Sequence, residues 1–278
     1  MSSPSSPPGA AQRLTKGTGS CAEGAGGVST PPSADHFSGH AADYAKYRPG
    51  YPPELFAWLA GECTARDLAW DCGTGNGQAA RQLAEHFSRV VGTDLSAQQV
   101  AQAPAHPRIE YRAAPAEASG LADASCDLVT VAQALHWFCH DAFYAEVDRV
   151  LKPGGVFAAW TYTLLRAEPA INAAVVDFHD RVVGPWWPPE RRWVDLGYAG
   201  MPFPYTPLPG PAFDIRLEWT LADLLAYLRT WSATQRCIAE RNDDPTVALG
   251  KELAPAWGDP SSRKSIVWPI ALIRGRKA

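Results

Sequence analysis

An excess of basic residues is missing from this 278-residue chain: 25 Lys and Arg stand against 29 Asp and Glu, a formal charge of -4. That balance lacks the positive footprint of a nucleic-acid binder or of a protein held on an anionic membrane. A small molecule is therefore the expected partner. Charge of either sign is sparse, at 19% of residues against about 25% in an average globular protein. Paired cysteines are missing too. Cys21, Cys63, Cys72, Cys126, Cys139 and Cys237 form no CxxC pair and no Cys/His cluster at zinc spacing. This excludes the common structural zinc modules, leaves no metal to expect, and fits a reduced, cytoplasmic protein. No apolar run approaches the roughly 20 residues of a transmembrane helix, and the N-terminus has no apolar stretch of the signal-peptide kind, so neither membrane insertion nor export is expected. No internal repeat is visible.

Aromatic residues are absent from residues 1–34, which consist mainly of Ser, Pro, Gly, Ala and Thr with only Arg13, Lys16 and Glu23 charged. Such a stretch buries too little apolar surface to offset its ordering entropy and is expected to be a disordered tail. The folded body is expected over residues 35–278. It holds all 11 Trp; over the whole chain apolar residues make up 46%, and Pro is frequent at 25. All the tryptophans except Trp58 and Trp70 lie from Trp137 onward.

Pro53 suits the first turn of a helix whose apolar residues are Leu55, Phe56, Trp58 and Leu59 and which Gly61 ends. A short strand, Leu68 to Trp70, runs into the loop Asp71 to Gly77. A helix follows with Ala80, Leu83, Ala84 and Phe87 on one face. A second strand, Val90 to Thr93, ends at Asp94, and Ser96 with Gln99 forms a capping box for the next helix. Further strands are expected near Ile109 to Arg112, at Leu128 to Ala132 and at Val156 to Trp160. A helix from Asp141 carries Phe143, Val147, Val150 and Leu151, and is expected to close at Lys152-Pro153-Gly154-Gly155. Strands alternating with helices predict a parallel sheet covered on both faces. Beyond Thr161 the alternation breaks into a Pro/Trp-rich insertion at about residues 163–211. A strand at Phe213 to Trp219 follows, then a helix capped by Thr220 and Asp223. The final apolar run, Ile266 to Ile273, contains Pro269, so this strand is expected either to bulge or to begin at Ile270.

The loop reads Asp71-x-Gly73-x-Gly75-x-Gly77, whereas a dinucleotide fold wants G-x-G-x-x-G. That spacing argues against NAD and a nicotinamide oxidoreductase. Glycines let the backbone approach a ligand closely at the sheet's C-terminal edge; a tight turn is the plainer alternative. Asp94 stands where a carboxylate can accept ribose hydroxyls, or it could act as a helix cap. Glu117, after the third strand, is a second candidate, or a solvated carboxylate at a helix start.

With the glycine loop, Asp94, Ala116-Glu117 and Leu151-Lys152-Pro153-Gly154-Gly155 in this order, the chain resembles the class I S-adenosylmethionine-dependent methyltransferases. The likeness is strongest over residues 37–162. It implies a Rossmann-like, doubly wound, mostly parallel seven-stranded sheet with helices on both faces and a substrate-covering insertion. By that resemblance Asp71, Gly73, Thr74, Gly75 and Gly77 serve the methionine portion of the cofactor, Asp94 the ribose with Leu95 beside it, and Ala116 and Glu117 border the adenine. Gln133 lines the methionine end. One departure stands out: Pro115 replaces an Asp frequent in relatives, so adenine recognition must lean on backbone near Ala116 or on Glu117. Phe37, Tyr44-Ala45, Arg48-Pro49, Tyr51-Pro52 and Ala134-Leu135-His136-Trp137-Phe138 resemble the small-molecule branch that includes the yeast-type trans-aconitate methyltransferases.

Methyl transfer from a sulfonium needs positioning more than covalent catalysis. A carboxylate acceptor needs no base, whereas a phenol, alcohol or protonated amine must lose a proton. His136, past the end of the fourth strand, is the candidate base, or a histidine oriented by packing. Trp137 is expected as a pocket wall. Tyr44, Arg48 and Tyr51 could form a lid, or a hydrophobic clasp. In the insertion, Arg191, Arg192 and the tryptophans suit a flat or anionic substrate, or a surface cluster pinned by prolines. Transfer to an oxygen of a carboxylate or hydroxyl is the expected reaction. N- or C-methylation of a heterocyclic metabolite, and a non-catalytic nucleoside binder of the same fold, are the alternatives.

Overall fold

The computed structural model of the chain describes residues 48–278; the expected tail and Tyr44 lie outside them. Proline at the first turn of α1 (Pro53–Gly61) sacrifices no helical hydrogen bond, and Leu55, Phe56, Leu59 and Ala60 bury its inner face. The chain then alternates through β1 (Leu68–Cys72), α2 (Gln78–Leu83), β2 (Arg89–Asp94), α3 (Ala97–Ala101) and β3 (Ile109–Ala113). It continues with β4 (Cys126–Ala132), α4 (His140–Val150) and β5 (Leu151–Tyr162). After two further helices, α5 (Pro169–Asp177) and α6 (Arg191–Asp195), come β6 (Phe213–Trp219), α7 (Leu221–Arg229), α8 (Ser232–Arg241), α9 (Pro245–Trp257) and β7 (Lys264–Arg276).

The strands form one seven-stranded sheet in the order β3-β2-β1-β4-β5-β7-β6. β1 to β5 pair in parallel, and β7 runs antiparallel to both of its neighbours. This is the doubly wound, mostly parallel architecture expected. Because side chains alternate across a strand, β5 sends Val156, Ala158, Trp160 and Tyr162 into one core, shared with α1 and α2, and Phe157 and Ala159 into another, shared with α4. Both faces are thereby covered. The chain order reverses between β1 and β4, which opens a crevice at their C-terminal ends, the place where open α/β sheets take ligands.

Three local expectations are corrected. The helix after the glycine loop stops at Leu83, and turns carry the chain to a buried Phe87, because Ser88 and Arg89 N–H groups donate to Arg66 and Asp67 and draw the backbone into β2. Lys152-Pro153-Gly154-Gly155 is the opening of β5 rather than a helix close: Gly154 N–H donates to the Lys277 carbonyl and Lys277 N–H to that of Gly155, with a register shift opposite Cys126 and Leu128. Pro269 lies inside β7 without ending it. Its carbonyl accepts from Thr163 N–H, so its donorless nitrogen faces the same side, just past the last β5 pair, Tyr162 with Ile270. The cost is one bond, the reciprocal one that position 269 would return to the Thr163 carbonyl at the end of the ladder.

Candidate active site

The loop between β1 and α2 turns on three glycines with left-handed backbones, φ 69° at Gly73, 53° at Gly75 and 80° at Gly77. Two of them also permit close approach. A Cβ at Gly73 would lie 2.6 Å from Ala134 Cβ, and one at Gly77 would overlap the Tyr111 hydroxyl and stand 2.6 Å from its Cζ. The loop is cross-linked to β2 by Thr74 N–H donating to the Thr93 carbonyl at 2.9 Å. Gly75 N–H donates to Asp94 Oδ2, also at 2.9 Å.

Asp71 and Asp94 divide their work. Asp71 is wholly buried, accepting from Thr74 Oγ1 at 2.6 Å and Thr130 Oγ1 at 2.8 Å. It ties the loop to β4. Burial raises its carboxyl pKa to about 6, against the lowering effect of the two threonine bonds. Asp94 is half-buried and accepts from Gly75 N–H on one oxygen and Ser96 N–H on the other. Ser96 itself caps α3 through Gln99 N–H, so Asp94 is not the cap and keeps further lone pairs for a ligand. Burial pushes the Cys72 thiol well up, and the charges of Asp71, Glu117 and Asp94 push the same way, which places three carboxylates around the end of β1. Leu95 beside them is 65% exposed, and Ala116 is half-buried.

On the other side of Gly73 the turn after β4 carries the remaining candidates. Gln133 has a left-handed backbone, φ 58°, held by its N–H donating to the Trp160 carbonyl at 2.9 Å and by Thr161 Oγ1 donating to its side-chain oxygen. His136 and Trp137 follow in the one-turn 3-10 helix Leu135–Trp137. His136 Nδ1 is 3.3 Å from the hydroxyl of buried Tyr198. Burial, and then the positive charge of Arg191, lower the imidazole pKa to about 3. The ring is neutral at pH 7 and a weak base.

Gln133, His136 and Trp137 form one wall of a cavity of about 130 Å³; Arg48, Tyr162 and Tyr227 also line it, as do Arg191, Trp187 and Trp231. Arg48 Nη1 donates to the Tyr162 hydroxyl at 2.9 Å. Burial raises Tyr227 to about 12, an effect the Arg48 charge reduces. Of the expected substrate residues, Arg48 and Trp137 meet in this cavity. Tyr51 instead packs in the core, its ring edge-on to Trp160 at 5.6 Å. Arg191 reaches the cavity, while Arg192 lies over Trp193 at 4.7 Å. Tyr162, Tyr198 and Tyr227 escaped the sequence reading. Only Tyr162, at a C-terminal strand end, carried a positional signal. Among the described residues no group of His, Cys, Asp and Glu is arranged to hold a metal.

A family model described as a methyltransferase domain matches residues 70–159. A Dictyostelium discoideum protein with a provisional methyltransferase name is 30% identical over 250 residues, 87% of this chain and 95% of its own. The solved structure of a provisionally named type II methyltransferase from Anaeromyxobacter dehalogenans shares 44% identity over 83% of this chain and 98% of its own, with a TM-score of 0.79. A Mycolicibacterium smegmatis relative, provisionally named for S-adenosylmethionine dependence, is 34% identical over 129 residues, 46% of this chain and 50% of its own. The chain belongs to the class I S-adenosylmethionine-dependent methyltransferases.

The residues fit that cofactor. The left-handed loop has open space at Gly75, where an added Cβ would meet nothing nearer than 4.0 Å. Asp94 has lone pairs to spare, and an exposed Leu95 offers an apolar surface beside it. S-adenosylmethionine supplies a methyl group already activated on a sulfonium. The chain's own residues must then bind, orient and exclude water.

Proposed function

We propose that this enzyme methylates an oxygen of a small molecule held in the cavity over Gln133, His136 and Trp137. The observation that carries the reading is the shared turn: residues 133–138 pack against Gly73 of the cofactor loop through Ala134 and Phe138 and face the cavity through Gln133, His136 and Trp137. In this reading Gly73, Thr74, Gly75 and Gly77 cradle the methionine portion, with Asp71 holding the loop in shape from beneath. Asp94 accepts the ribose hydroxyls. Leu95, Ala116 and Glu117 border the adenine, and Gln133 faces the methionine end. Arg48 and Trp137 bound the acceptor. Tyr44 and Tyr51 remain proposed as flanking residues, the latter through its packing against Trp160 and Tyr162.

The depressed basicity of His136 supports an acceptor oxygen that arrives ionised, since such an oxygen has no proton to surrender. A carboxylate meets that requirement. This agrees with the narrower likeness to trans-aconitate methyltransferases carried by Arg48-Pro49 and residues 134–138. No helix among the described residues is long and apolar enough to cross a membrane, and we place the reaction in the cytoplasm on a free metabolite rather than on nucleic acid. The direct test incubates the protein with methyl-labelled S-adenosylmethionine and a panel of small acids, phenols and amines, and identifies products by mass. O-methylated products are expected. Exclusive N- or C-methylation refutes the oxygen assignment, and tight NAD binding without S-adenosylhomocysteine binding refutes the whole reading.

A further inference from the structure

The cavity wall is more specific than the class of reaction, and the inference it supports rests on the reading that this cavity takes the methyl acceptor. Its charged lining consists of two guanidinium groups, Arg48 and Arg191, with no Asp or Glu. Arg191 is fixed without any ligand. Its guanidinium carbon lies 4.3 Å over the Trp187 ring centroid, Nε donates to Asp195 Oδ1 at 2.7 Å, and the side chain is only 18% exposed. Trp187 is itself held in place. Its indole N–H donates to the His179 carbonyl at 3.2 Å, its ring lies 5.1 Å from that of His179 and 5.5 Å from that of Trp231.

Asp195 engages Arg191 through Nε, so the terminal nitrogens, which make no hydrogen bond to other described residues, are left to a ligand. A planar fork of this kind matches a carboxylate in two parallel bonds, and a largely desolvated cation with idle donors favours an anion beside it. The charge of Arg191 also adds to the effect of burial in lowering the His136 pKa. Flat apolar surface lies alongside: the indoles of Trp137, Trp187 and Trp231 all border the same space. Indole faces stack on planar unsaturated groups and gain little from a flexible aliphatic chain beyond its area.

We infer that the methyl acceptor is a flat, unsaturated organic acid, aromatic or conjugated, whose carboxylate is anchored by the terminal nitrogens of Arg191 while its π-face lies against the cavity indoles. Arg191 is then the residue that sets specificity for an acid over its neutral counterparts.

The test is a binding experiment on the full chain. S-adenosylhomocysteine is titrated first by calorimetry, and the loaded protein is then titrated with trans-cinnamate and benzoate beside cinnamamide and benzamide, reading heat and tryptophan quenching. At least one acid should bind about 10- to 100-fold more tightly than its amide, the ratio expected of one or two charge-assisted hydrogen bonds. Arg191→Gln should abolish that preference and Arg191→Lys restore part of it, with S-adenosylhomocysteine affinity unchanged in both. Amides binding as well as acids, no acid binding to the loaded protein, or a preference that survives Arg191→Gln overturns the inference and leaves the methyltransferase reading intact. Failure of S-adenosylhomocysteine to bind overturns both. If a variant does not fold, the acid-to-amide ratio of the natural chain decides alone.

Discussion

Asp94, Asp71 and His136 are each a single ionisable group whose surroundings set its task. Asp94 accepts one backbone N–H on each oxygen and has lone pairs left over. Replacing it by Ala should weaken S-adenosylhomocysteine binding about 10- to 100-fold by calorimetry, the loss of one or two charge-assisted bonds. Unchanged affinity would remove it from the ribose role. Asp71 acts on stability instead. With its folded pKa raised to about 6, the native chain keeps a proton that the unfolded chain has lost, so this residue's contribution falls as pH rises from about 4 to 6 and stays low above that. Asp71→Asn should therefore gain on the natural chain across that window, by roughly 3 kcal/mol at pH 7 in denaturant titrations. His136 works in the opposite sense. Its folded pKa near 3 means that the unfolded chain takes up a proton first as pH drops below about 6.5, and stability is lost from there downward. For the same reason His136→Asn should lower kcat by less than about tenfold, where removal of a true general base costs about 10²- to 10⁴-fold. Asp94 and His136 were legible in the sequence because strand ends at a sheet's C-terminal edge are few. The protonation behaviour of Asp71 and His136 was not, since it depends on burial and on Thr130 and Arg191, which lie far from them in sequence.

The glycine loop was readable as an element because alternating glycines state a backbone need directly. What each glycine permits was not, because the neighbours come from other strands: Ala134 after β4 for Gly73, Tyr111 of β3 for Gly77. The two kinds of need separate experimentally. Gly75→Ala meets open space and pays only for its left-handed φ, about 1 kcal/mol. Gly77→Ala adds overlap with the Tyr111 ring and should cost at least about 2 kcal/mol in thermal or denaturant melts. Tyr111→Phe should rescue it only in part, because Cζ still stands 2.6 Å from the added Cβ. Equal losses at the two glycines would mean that backbone strain alone sets the cost. The same dependence on distant partners explains why the sequence left open whether the last strand bulges at Pro269 or begins at Ile270. A proline at the end of a paired stretch costs a single ladder bond, and that Pro269 stands opposite Thr163, one residue past the end of β5, cannot be seen from residues 264–276.

At the scale of the whole molecule, the stretch after β5 reads in sequence as an insertion laid over a finished sheet, because its Pro/Trp-rich composition breaks the strand–helix alternation. Its packing is more intimate than that. Ile171, Val175, Phe178 and Val183 share one buried core with Trp160 of β5, Trp268 of β7, and Tyr227 and Trp231 beneath the cavity. The tryptophans divide accordingly: Trp160 and Trp268 are fully buried structural residues, while Trp137, Trp187 and Trp231 shape the cavity. A covering layer that contributes to the same apolar core as the sheet cannot open without exposing that core, so it should not melt as an independent lid. Thermal unfolding followed by far-UV circular dichroism, which reports the helices and the sheet, and by tryptophan fluorescence, which is weighted toward the cavity side, should therefore give coincident transitions. S-adenosylhomocysteine at about 100 times its Kd should raise both together, by the equivalent of about 2.7 kcal/mol. An earlier fluorescence transition that the ligand leaves in place would show instead that the covering layer is a separate cooperative unit, with Arg191 and Trp187 free to leave the cavity while the cofactor loop stays folded.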